Sequence, residues 1–142
     1  MNYQSIRAKI EAPLLTAYNN QAPAIPVYFD NITFVPPDPP KEYVRVNLTF
    51  GMMSECALTD EFDFARGAII IRCFAQKSNG PARCQQLLMI AKSVIDSINA
   101  TGKTASSTYV RIKDISGPSF TSMEDNPHFM GKMEAGWQAT VK

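Results

Sequence analysis

The chain has 142 residues, 45% of them hydrophobic and 19% charged, with a net charge of +1. That length favours one domain with a core that needs no staples. A near-neutral chain argues against nucleic acid as the main partner, because phosphate neutralisation calls for a basic excess.

Residues 5–19 read as a first helix, with Ile6, Ile10, Leu14 and Tyr18 recurring every four positions. Pro13 falls inside this pattern and is expected to kink or divide the helix. Residues 20–26 form a loop, and Val27–Asn31 a short extended piece. Four prolines then fall at Pro36, Pro37, Pro39 and Pro40. They favour a stiff polyproline II segment, a spacer between sheet elements rather than a ligand for a proline-reading domain.

Tyr43–Phe50 alternates as a strand, with Val44, Val46, Leu48 and Phe50 inward and Tyr43, Arg45, Asn47 and Thr49 outward. Residues 51–65 fit neither period. Met52, Met53, Phe62 and Phe64 mix there with Glu55, Asp60, Glu61 and Asp63. A contact loop over Met52–Phe64 is one reading; the start of the next strand at Phe62 and Phe64 is the other. Gly67–Gln76 is apolar on both faces for most of its length, as an inner strand would be. A turn follows at Lys77–Pro81, with Ser78 or Asn79 as a cap and Pro81 in the first helical turn. The long helix that follows puts Cys84, Leu87, Leu88, Ala91, Val94, Ile95 and Ile98 on one stripe and ends near Gly102.

Thr108–Ile115 is the next strand, with Val110 and Ile112 inward and Arg111 and Lys113 outward. Gly117-Pro118 interrupts it, and Ser119–Met123 extends it past a bulge. The turn Glu124–Pro127 leads to the last strand. There Met133, Ala135, Trp137, Ala139 and Val141 share a parity with Phe129, while Gly131 and Gly136 are expected to mark bends. The elements predict one α+β domain over residues 1–142: a mostly antiparallel sheet of four or more strands with two helices packed on it.

Little here points to catalysis. His128, the one histidine, falls in a predicted turn beside Pro127 and reads as an ordinary surface residue. Cys56, Cys73 and Cys84 are an odd number with no paired or metal-binding spacing, and Cys73 and Cys84 fall on core faces as small apolar residues. The carboxylates at 60–63 and 124–125 lack a calcium-loop pattern. No phosphate-binding glycine loop or Gly-x-Ser-x-Gly elbow occurs. No stretch is apolar enough for a membrane span, no signal peptide is recognisable, and the three sequons read as chance, so synthesis in a reducing cytosol is expected. Arg45, Arg72, Arg111 and Lys113 form a basic strip, suited either to a carboxylate-bearing protein neighbour or to solvent.

The order of motifs resembles the phage tail-terminator-like proteins over nearly the whole chain. An opening helix from Ser5 to Leu15 is followed by Asn31-Ile32-Thr33-Phe34-Val35-Pro36-Pro37 and by Tyr43-Val44-Arg45-Val46. Arg66-Gly67 opens the next strand, the turn and long helix run from Gly80 to Ile98, and the closing strand contains Gly136-Trp137-Gln138-Ala139-Thr140-Val141. The acidic 60–64 piece departs from the shorter glycine-rich connection common in that family. The resemblance implies a structural virion protein, made in the host cytoplasm, that forms a hexameric ring. The ring would cap the head-proximal end of the tail tube and present the docking surface for a neck or head-completion protein. It implies no enzymatic activity, cofactor, metal, small-molecule substrate, sequence-specific nucleic acid or membrane partner. Subunit or tube contacts are expected at Met52, Met53, Phe62 and Phe64 and at Arg45, Arg72 and Arg111. The alternatives are a neighbouring neck protein and, third, a small cytosolic enzyme.

Overall fold

The structure is a computed structural model and describes residues 3–22, 24–30, 42–55, 63–76, 81–101, 108–122 and 128–141. The proline run, the 77–80 turn, Cys56, Asp60, Glu61, Phe62, Gly102 and the 124–127 turn lie outside them.

Among the described residues, two helices, α1 (Tyr3–Asn19) and α2 (Ala82–Thr101), accompany five strands: β1 (Val27–Tyr28), β2 (Tyr43–Glu55), β3 (Asp63–Gln76), β4 (Thr108–Ser122) and β5 (His128–Val141). The strands form one sheet in the order β1-β2-β3-β5-β4. β1 runs parallel to β2, and every other pair is antiparallel. The fold is α+β. The parallel pair is local: β1 places Val27 opposite Val44 and Tyr28 opposite Arg45.

β3 is the inner strand its apolar run predicts, hydrogen-bonded to β2 on one side and β5 on the other. Its inward residues Ile69, Ile71 and Cys73 share one core cluster with Val44, Val46 and Leu48 of β2. Val110 and Ile112 of β4 and Met133, Ala135, Trp137 and Ala139 of β5 complete the sheet side. The cluster also takes Ile6, Ile10 and Leu14 with Tyr18 from α1, and six of the seven stripe residues of α2; the seventh, Cys84, is buried as well. Each such side chain contributes about 1.5–3 kcal/mol of burial before chain entropy is subtracted.

α1 is one helix through Pro13 rather than two pieces. The missing proline amide costs about 3 kcal/mol in an otherwise regular helix. Buried residues on both sides of Pro13 hold the two halves to the core, and that packing offsets the cost. Tyr18 joins the helices: its hydroxyl donates to the Leu87 carbonyl at 2.7 Å. In α2 the Gln85 amide donates to the Pro81 carbonyl at 3.0 Å, so Pro81 stands at the helix start as its spacing predicts.

β4 carries its expected irregularity. Its register with β5 shifts between Lys113 and Ser116 and again before Ser119. Asp114 (φ 58°) and Gly117 (φ 103°) take left-handed backbone there, where glycine escapes the usual steric penalty. β5 stays in unbroken register with β3 through Gly131 and Gly136. At Gly131 a Cβ would stand 3.1 Å from Cys84 Cβ, so the small residue serves the close approach of α2.

Candidate interaction surface

Strand alternation sends the remaining side chains to the sheet face opposite the core cluster. The register sorts them into rows across the strands. One row is Arg45, Arg72 and Lys132, each directly opposite the next. Another, about 20 Å away along the strands, is Met52, Arg66, Gln138 and Arg111. Lys113 stands opposite Gly136 between them. Like charges directly opposite each other destabilise a sheet. At about 5 Å in a water-like dielectric each repulsion is on the order of 1 kcal/mol.

The sheet relieves part of this locally. Arg72 Nη1 donates to Asn47 Oδ1 at 2.9 Å. Lys132 Nζ lies 2.6 Å from Glu134. That hydrogen bond, with the fields of Lys132 and Arg72, holds the Glu134 carboxyl below its usual range. Among the described residues that the register places on this side, six are cations and one, Glu134, is a carboxylate.

Side chains occupy part of each sheet edge. Beyond β1, Asp30 takes the place of a strand partner: its carboxylate accepts from the Leu48 amide at 3.0 Å and from Asn47 Nδ2 at 2.8 Å. Arg7 of α1 reaches Asp30 at 2.9 Å and Glu11 at 2.7 Å. Burial raises the Asp30 carboxyl, but the Leu48 amide, Arg7 and Asn47 together outweigh it and leave it below the ordinary value. At the opposite edge Asn99 of α2 makes two bonds to the Ile112 backbone, donating to its carbonyl at 2.9 Å and accepting from its amide at 2.8 Å. Such caps blunt the edge pairing that otherwise invites a foreign strand.

The predicted contact segment is strand at both of its ends. β2 continues to Glu55 and β3 begins at Asp63, so Met52, Met53 and Phe64 are sheet residues, and the loop reading is corrected at both ends; residues 56–62 lie outside the described residues. A register shift between Phe50 and Met52 breaks the alternation, which is why neither period fits the sequence there. Met52 and Met53 remain exposed, at 46% and 45%. Phe64 stands opposite Ser54, while Phe62 lies outside the described residues.

Trp137 and Gly67 lock this bulge. The Trp137 indole lies against Gly67, where a Cβ would stand 2.8 and 2.9 Å from two ring carbons and would overlap the Thr49 carbonyl oxygen. Trp137 Nε1 donates to that same carbonyl at 3.2 Å. Phe50 packs edge-on to the indole at 5.1 Å, and Tyr3 and Arg7 of α1 close over Phe50.

His128 is not the surface turn residue its sequence neighbourhood suggests. It opens β5 opposite Gln76 and is 2% exposed. Its ring lies 5.0 Å from that of Tyr43, which stacks on Phe74 at 4.4 Å. Cys73 and Cys84 are buried free thiols. Burial pushes the Cys73 thiol up to about 12, far from the thiolate that nucleophilic chemistry needs. Among the described residues no three His, Cys, Asp or Glu side chains gather as a metal site. Nor, among the described residues, is any helix long and apolar enough to cross a membrane.

Of the predicted contact residues, the register sets Arg45 and Arg72 in one row with Lys132, and Met52 and Arg111 in a second, separate row with Arg66. The alternation signals Lys132 and Arg66, but only the strand order places them in rows with the others.

No protein-family model matches the sequence, and no curated protein matches it. A solved structure aligns over 98% of this chain and 96% of its own length, with a TM-score of 0.65 and 21% identity. At that identity the likeness speaks for a shared fold alone.

Proposed function

We propose that this chain is a structural virion protein that caps the head-proximal end of a phage tail tube as a ring. The ring ends tube polymerisation and offers the docking surface for a neck or head-completion protein. The cap works by surface fit and charge, with no bond made or broken. The cationic side of the sheet carries the reading: Arg66 and Arg111 are exposed there in one row and suit an acidic protein neighbour. The motif order across nearly the whole chain, helix to Trp-containing strand, supports the same assignment. Exposed Met52 and Met53 beside the face supply adaptable apolar contact.

Electron micrographs of particles assembled without this chain test the proposal. A cap's absence gives tails of uncontrolled length. Tails of normal length with detached heads would instead assign the chain to the neck and refute the capping role.

A further inference from the structure

Three strands build a small patch on the open side of the sheet. Arg66, Gln138 and Arg111 stand in register across β3, β5 and β4. Two residues along, on the same side, Phe64, Thr140 and Tyr109 form the next row. Two residues the other way the row is Ala68, Gly136 and Lys113. Strand geometry spaces these rows by about 6.8 Å and sets the Arg66 and Arg111 backbones about 10 Å apart, one on each side of β5. Both arginines are exposed, and among the described residues neither they nor Lys113 is ion-paired. Glu134, the carboxylate on this side, is held by Lys132 at 2.6 Å and stands about 13 Å from Gln138 along β5. Along β5 the patch thus runs from small residues beside a cation, through a pair of cations, to a pair of half-buried aromatics.

We propose that this patch docks an extended segment of a partner protein, lying over β5, whose sequence runs acid-x-acid-x-apolar in one chain direction or the other; this deepens the acidic-neighbour reading above and rests on it for the partner's charge. An extended chain turns alternate side chains to one side about every 6.8 Å, the spacing of the three rows. The outer carboxylate sits over Gly136 beside Lys113, where no side chain stands in its way. The central carboxylate sits between Arg66 and Arg111, and the apolar side chain between Phe64 and Tyr109. Arginine and aromatic residues are the types that carry most of the energy at protein interfaces. A polypeptide is the occupant rather than a nucleic acid because an apolar position adjoins the cations, Glu134 shares this side, and the net charge is only +1. A phosphate backbone calls for a broader basic excess.

Amide NMR titration of the full chain at about 0.1 M salt tests this with the peptide acetyl-Ser-Asp-Ser-Asp-Ser-Leu-Ser-amide and with its reversed sequence. At least one of the two should shift amides of residues 64–68, 109–113 and 136–140 and saturate with a Kd on the order of 1 mM. Asparagine in place of both aspartates should weaken binding about tenfold, and serine in place of leucine about threefold. Arg66→Gln/Arg111→Gln should weaken it about tenfold. Lys9→Glu, which removes the same charge from the exposed surface of α1, should leave it within about twofold. Amide shifts away from the patch check that each variant is folded.

Shifts no larger than those from the asparagine peptide overturn the proposal, and so do shifts spread over the whole surface. Tighter binding of an oligothymidylate at the same residues overturns it and gives the patch to phosphate and base. Concentration-dependent shifts of these amides without peptide overturn it in favour of a second copy. The titration needs no tail tube, so the docking reading can fail while the micrographs uphold the cap, and the cap can fail while the peptide binds.

Discussion

Gly67→Ala is the sharpest probe of how this sheet is held. The added methyl meets the Thr49 carbonyl oxygen and two carbons of the Trp137 ring at 2.8 and 2.9 Å. Neither neighbour yields easily. Thr49 is backbone within the β2–β3 ladder, and Trp137 is fully buried. Overpacking of this kind costs about 1–3 kcal/mol. Displacing the indole also removes its bond to Thr49, about 0.5–1.5 kcal/mol. Against this, alanine restricts the unfolded chain and returns about 0.4–1 kcal/mol. The net expectation is a loss of about 2–3 kcal/mol, or roughly 5–10 °C in Tm. Gly136→Ala is the internal control one register step away. Its Cβ would find its nearest atoms at 3.7 and 3.9 Å, ordinary contact, so that variant should lie within about 0.5 kcal/mol of wild type. Trp137 is the sole tryptophan, so its fluorescence follows denaturant unfolding directly. Equal stabilities for the two variants would refute the claim that the missing Gly67 side chain makes room for the indole.

Two further outcomes follow from the hydrogen bonds. Asp30→Asn should cost about 1–3 kcal/mol at neutral pH, because Arg7 loses its charged acceptor and the Leu48 amide a strong one. The Asp30 carboxyl titrates lower in the folded chain than the usual 3.8, so its stabilising contribution is complete above that value. The gap between variant and wild type should therefore narrow as pH falls through the folded carboxyl's range, and a gap independent of pH down to acid unfolding counts against the network. Tyr18→Phe should cost about 0.5–1.5 kcal/mol, since its hydroxyl bond to Leu87 ties α1 to α2; a denaturation midpoint equal to wild type contradicts that role.

The sequence alone determined what periodicity can carry. The seven-residue stripe of α2, the four buried residues of α1, the inner position of β3 and the interruption of β4 at Gly117-Pro118 were all legible, because each element must show one face to a core and the backbone geometry sets the spacing. Periodicity failed where a single residue changed the phase, as between Phe50 and Met52, so two strand ends read as a loop. It also missed the burial of His128, which depends on Tyr43 and Phe74 arriving from two other strands. Only the tertiary structure decided which outward residues meet. Arg45, Arg72 and Lys132 come from three segments far apart in the chain, and they form one row because β5 inserts between β3 and β4. Strand order is fixed by the packing of all the elements at once, and no local pattern records it.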